Sequence, residues 1–372
     1  MTARVVKLGL IGCGRVAETY HLPALRKLAG AEVVAVADLD PQRLRRVADR
    51  FHVKRRYGNF VALLEDPSVE AVAVCVPVQF HAEVALTALE AGKHVFIEKP
   101  LALSLAEADR LIERAAQVPR TVMIGFNLRW HRLLRQAQAL VRHGALGPLE
   151  LMRTAFTSHH EDVPEWRKRR ELGGGVFFEL AVHHFDLWRF LLRSEVEEVF
   201  AVSQSPRWED ETATVTARLA NGVLVTSIFS QRTNERNEVE VYGRAGYVRV
   251  SCYRFDGLEH VSSSSPPGDV RTRLRQVAHT LKELPQGALR MRQGGDFIAS
   301  YQAEWRHFID AIRRGAPAEC TLEDGRRALQ VALAAMESAS LGRPVRVARL
   351  PGGDTAVAGD FAPGAGKRNI GE

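Results

Sequence analysis

The segment Gly12-Cys13-Gly14-Arg15-Val16-Ala17 constrains this chain more than any other. It follows directly on an apolar run at 5–11 that reads as a strand, and it leads into 17–28, where apolar residues recur at helical spacing. In a G-x-G-x-x-A loop between strand and helix, the first glycine permits the tight turn. The second lets the backbone approach a pyrophosphate, and the small third residue lets helix and strand pack closely. The helix start at Arg15 and Val16 turns backbone N–H groups toward the phosphates. A second strand over 32–37 ends at Asp38, 21 residues past Ala17, which is the spacing of an acid that holds ribose hydroxyls. A carboxylate there accepts from the 2′-OH of NAD and repels the 2′-phosphate of NADP. NAD is therefore the expected cofactor; Arg43, a few residues on, softens the repulsion and leaves NADP open.

The rest of the first third repeats the same grammar. Helical spacing covers 41–51, 81–91 and 104–116, the last opened by a Ser104/Glu107 capping box, and apolar strands cover 71–76 and 94–97. Strands without polar alternation, separated by helices, predict a doubly wound parallel sheet covered on both faces. After about residue 122 the pattern changes. Longer strands at 149–156, 199–202, 212–219, 223–229, 239–242 and 247–250 follow one another, and Asn221-Gly222 marks a hairpin. This half reads as an antiparallel sheet with a few helices, including 304–314 and 322–340. The expected organisation is a dinucleotide-binding domain over 1–122, an α+β domain over 123–350 and a Gly/Ala/Pro-rich, disordered tail over 351–372. The Ser/Pro-rich and then Arg-rich stretch 262–295 reads as an insertion or mobile loop.

Composition excludes more than it assigns. At 372 residues, 46% hydrophobic and 26% charged, the chain has room for two cores and is not of disordered type. The net charge of +7 comes from arginine, yet clusters such as Arg167-Lys168-Arg169-Arg170 are not interleaved with aromatics. They read as a solvated surface, and nucleic acid is not an expected partner. No apolar run is long enough to span a bilayer, and no secretory signal opens the chain, so no membrane partner and a cytoplasmic location are expected. Four scattered cysteines suggest neither disulfides nor a thiolate metal site.

Two further clusters point to chemistry. Glu98-Lys99-Pro100 closes the strand at 94–97, and a lysine at the carboxyl end of a parallel strand faces the ligand crevice. Gly173-Gly174-Gly175 then leads into a helix on which Glu179, His183 and Asp186 stand at i, i+4 and i+7, on one face. His183 is the candidate general base, with a carboxylate to hold or polarise it. The same three side chains would suit a metal ion, but a nicotinamide enzyme needs none and no metal is expected. His184 lies off that stripe and reads as a core histidine.

With Gly125-Phe126-Asn127-Leu128-Arg129 and the closing Gly342-Arg343-Pro344-Val345, these motifs resemble the glucose–fructose oxidoreductase / inositol dehydrogenase (Gfo/Idh/MocA) family over about residues 5–347. The resemblance implies a Rossmann domain followed by a domain with a large, open, mostly antiparallel sheet that packs subunits into homodimers or homotetramers. It implies hydride transfer between a nicotinamide cofactor and a sugar, inositol-like polyol or ketosugar. Lys99 matches the family's active-site lysine and His183 its catalytic histidine. Glu179 stands where the family usually has Asp. Arg129 and Trp166, with Asp186, fall in segments that line the substrate pocket, and Pro77 and Glu98 join the cofactor-binding residues. Gln79 stands near a frequent Asn, and the Lys99–Pro100 bond is expected to be cis. Two alternatives remain on the same scaffold: an NAD-dependent glycoside hydrolase, and a nicotinamide-binding sensor without catalysis.

Overall fold

A computed structural model describes residues 4–266 and 269–348. The first sheet is parallel and six-stranded: β1 (Val6–Ile11), β2 (Ala31–Ala37), β3 (Arg55–Tyr57), β4 (Ala71–Val74), β5 (His94–Glu98) and β6 (Val122–Gly125), in the order β3-β2-β1-β4-β5-β6. The order reverses between β1 and β4, which opens a crevice at the carboxyl ends of these two strands. β4 is buried at all four positions and β5 at four of five, as a sheet with helices on both faces requires. β6 extends the parallel sheet beyond the boundary expected at 122.

The second sheet has eight strands: β7 (Leu149–His159), β8 (Val196–Gln204), β9 (Thr212–Leu219), β10 (Leu224–Ser230), β11 (Arg232–Gly243), β12 (Gly246–Ser251), β13 (Leu258–Ser262) and β14 (Val345–Arg346). Their order is β13-β12-β11-β7-β10-β9-β8-β14, and among them β7 and β10 pair in parallel while the other pairs are antiparallel. β9 alternates buried and exposed residues along its length, so the sheet has one covered face and one open face. Helices Val182–Leu192 and Leu322–Leu341 lie against the covered face; Phe200, Val202, Leu224 and Ile228 stand on the open one. The Asn221-Gly222 turn joins β9 to β10, with Gly222 at φ +85°.

Two helix starts follow their sequence cues closely. The side chain of Ser104 accepts from the Glu107 N–H and Glu107 reaches back to the Ser104 backbone; Thr321 and Asp324 do the same for Leu322–Leu341. The stretch read as an insertion or loop is different: it contains a 23-residue helix, Val270–Arg292. Its Ser/Pro-rich lead and internal Pro285 obscured the helical period. The proposed tail, 351–372, lies outside the described residues.

Candidate active site

The loop after β1 is built as its glycines require. Gly12 has φ +94°, and a Cβ there would lie 2.6 Å from the Cys75 carbonyl oxygen, so only glycine fits. A Cβ on Gly14 would meet nothing within 4 Å, so open space stands over the loop where a pyrophosphate needs room. Arg15 and Val16 are exposed at the helix start. That helix begins with a π turn, Ala17–His21, before Leu22–Arg26. Asp38 lies just past β2. Its Oδ2 accepts from the Cys13 N–H at 2.7 Å and its Oδ1 from the Asp40 N–H at 2.8 Å, with Arg43 Nη1 3.8 Å from Oδ2. The carboxylate thus ties the glycine loop to the end of β2. Pro77 is half-buried beyond β4, and beside it the Gln79 Oε1 atom is buried without a partner. The strict glycine, the open space, the acid and an orphaned acceptor suit a dinucleotide.

Lys99 leaves the end of β5 and donates from Nζ to the carbonyl oxygen of Glu179 at 2.8 Å. Glu179 belongs to a second π turn, Phe177–Ala181, which runs into the helix carrying His183. π turns recur at functional sites. The lysine of the first domain therefore meets the histidine helix of the second one turn ahead of His183. Burial pushes the Lys99 ammonium below the ordinary lysine range, against the pull of the Glu179 and Glu98 charges. His183 is 8% exposed, set between Phe126 and Phe156, and its Nδ1 has no hydrogen-bond partner. Burial first, and then the Lys99 charge, hold its imidazole well below the usual histidine value, so the ring is neutral. The Lys99–Pro100 bond is cis.

Four of the candidate side chains are engaged by partners within the protein. The Glu179 carboxylate does not turn to His183; Arg167 grips both of its oxygens. Asp186 is fully buried, and Arg129 takes its two oxygens at 2.7 and 2.5 Å. Arg129 also donates to Asp324 at 2.9 Å, so Arg129 and Asp186 satisfy one another in the protein interior. Glu98 faces inward as well. Its Oε1 pairs with His21 Nε2 at 2.7 Å and its Oε2 accepts from the Lys99 N–H at 3.1 Å. Trp166 is half-buried in the short helix Glu165–Lys168, next to the arginine that holds Glu179.

Three contributors escaped the sequence. Trp305 Nε1 donates to His21 Nδ1 at 3.0 Å, which leaves the proton on His21 Nε2 for Glu98. This chain braces the backbone of Lys99 across a separation of 284 residues, and no local pattern announces it. Arg167 was visible only as part of a basic cluster read as solvated. In the fold Arg167 turns onto Glu179 and Arg170 onto Asp210, at 2.7 Å. Among the described residues, no three His, Cys, Asp or Glu side chains gather as metal ligands.

Comparison with known proteins agrees with this geometry. Residues 6–126 match the profile of the Gfo/Idh/MocA oxidoreductase family with an NAD-binding Rossmann fold, and residues 134–249 match the Gfo/Idh/MocA C-terminal domain. The chain is 30% identical to the myo-inositol 2-dehydrogenase of Thermotoga maritima over 93% of its own length and 100% of that protein. It is 31% identical to the inositol 2-dehydrogenase of Acidothermus cellulolyticus, covering 94% and 97% of the two chains. A crystal structure of a probable dehydrogenase from Thermotoga maritima superposes with a TM-score of 0.75 at 27% identity, covering 92% of this chain and 99% of that one.

Proposed function

The chain belongs to the Gfo/Idh/MocA family of NAD-binding oxidoreductases, and from that premise we propose that it is an NAD-dependent dehydrogenase of a sugar or cyclic polyol, inositols foremost. One observation carries this reading: the Lys99 ammonium rests on the Glu179 carbonyl, a turn ahead of a neutral His183, at the carboxyl end of the parallel sheet. When bound, the nicotinamide supplies the two-electron acceptor for the hydride of a carbinol carbon. His183, being neutral, takes the hydroxyl proton. Lys99 donates to the same oxygen and steadies the negative charge that grows there. In the reverse direction the same two groups return the proton to a carbonyl oxygen. Glu179 acts through its main chain, which orients Lys99, while Arg167 fixes its carboxylate. Trp166 remains the substrate-contact residue of this reading, the open face of the second sheet supports a homo-oligomer, and the reading places the enzyme in the cytoplasm.

The test is a panel of inositols, aldoses and ketoses followed by NADH absorbance, with NAD and NADP compared. Lys99→Ala is expected to lower kcat by about 10²–10⁴-fold while NADH still binds with near wild-type affinity. Loss of turnover and binding together would make Lys99 structural. No turnover by the wild-type protein across the panel would overturn the dehydrogenase reading.

A further inference from the structure

The helix Val270–Arg292 is docked the wrong way round for a surface helix. Thr280 donates to Asp256 at 3.2 Å, and Gly287 is buried so tightly that a Cβ would lie 2.4 Å from the Phe255 ring. Small and polar positions thus hold the helix to the body. Its apolar residues point outward, with Val270 68% exposed, Leu274 63%, Leu281 60% and Met291 56%. From Val270 to Met291 they recur in alternating steps of four and three, every such position being exposed. Among the described side chains of this helix, only Leu289 is an exposed large apolar residue off this line.

We propose that this stripe pairs with the same stripe of a second copy of the chain, as an antiparallel helix pair about a two-fold axis near Leu281. The spacing is that of a narrow heptad seam, the form that knobs-into-holes contact between helices requires. A bilayer surface calls for a broader apolar face. The seam is also self-complementary, as a two-fold contact demands. With Leu281 opposite its own copy, Leu274 meets the small Ala288, Val277 meets Leu284 and Val270 meets Met291. Seven side chains burying on the order of 100 Å² each give about 700 Å² per protomer, close to the ~800 Å² of a standard interface. The helix carries six Lys or Arg and a single Glu, and this register sets the exposed Arg271 near Arg292 of the second copy. Like charges at the ends oppose the contact, so the pairing tightens as salt rises. This interface is separate from the open sheet face and does not rest on the dehydrogenase reading.

Sedimentation equilibrium of the full chain tests it. The double variant L274E/L281E is expected to halve the assembly mass, with NADH binding retained, and high salt is expected to stabilise the wild-type assembly. Oxidative cross-linking checks the register: L281C links to itself, and V270C links to M291C in a mixture but not to itself. Unchanged mass in L274E/L281E overturns the proposal. So does V270C linking to itself, which would mean parallel helices. A wild-type chain that stays half-sized in solution and pellets with vesicles containing an anionic phospholipid, less so as salt rises, also overturns it in favour of a lipid surface.

Discussion

His183 and His184 are neighbours on one helix with opposite duties. His184 is fully buried; Asn237 Oδ1 lies 3.1 Å from its Nε2 and the Thr154 hydroxyl 2.8 Å from its Nδ1. An amide oxygen only accepts, so Nε2 carries the proton and the hydroxyl donates to Nδ1. Burial pulls its pKa down to about 4. Because the folded value lies below the unfolded one, the unfolded chain binds the extra proton between these two pH values. Stability from this residue is complete above pH 6.5 and is lost as pH falls toward 4, by about 3 kcal/mol. Denaturant titrations from pH 7 to 4 are expected to show that loss, and His184→Gln to shrink it. His183 instead has an unpartnered Nδ1 and the Lys99 charge nearby. That charge favours the neutral ring. Its removal in Lys99→Met raises the His183 pKa, so the acid limb of kcat/KM in the residual activity is expected to move to higher pH. An unmoved limb would separate the two residues functionally.

At the level of elements, the two glycines of the first loop make opposite demands. Gly12→Ala forces a left-handed residue against the Cys75 carbonyl and is expected to destabilise the fold by about 1–3 kcal/mol. Gly14→Ala adds a methyl to open space, so the melting temperature should hold while the Kd for NADH rises. Thermal melts and NADH fluorescence titrations distinguish the two. This loop was legible because its chemistry is local: strand, turn, helix and acid lie within a few dozen residues. The helix Val270–Arg292 was not, although its heptad spacing is present in the sequence. A leading Ser/Pro run and an internal proline argue for a loop, and only the fold shows that Gly287 is where the helix touches the body. Glu179 lies in the π turn Phe177–Ala181, whereas His183 and Asp186 lie in the α-helix that follows it. Spacing does not reveal which arginine reaches each carboxylate. Arg129 stands 57 residues before Asp186, and charge sign alone does not select it over the many other arginines.

Across the whole molecule, Arg129 joins the end of the first domain to two helices of the second through Asp186 and Asp324. Arg189 also lies 3.3 Å from Asp324. Arg129→Met strands buried carboxylates and is expected to cost about 3–5 kcal/mol in denaturant unfolding. The substrate KM of the protein that remains folded should be unchanged; a raised KM would return Arg129 to the pocket. A second tie runs through the helix Gly295–Arg314, which follows seven of the eight strands of the second sheet in the chain yet packs on the first. Its Trp305 stacks on Phe96 with ring centroids 4.3 Å apart and hydrogen-bonds His21, while Arg313 donates to the carbonyl of Gly30 at 3.1 Å. The nucleotide half is therefore not a cassette. A chimera that swaps residues 4–125 into another scaffold must bring residues 295–314 along, or it exposes the aromatic underside of β5 and unseats the strand that delivers Lys99.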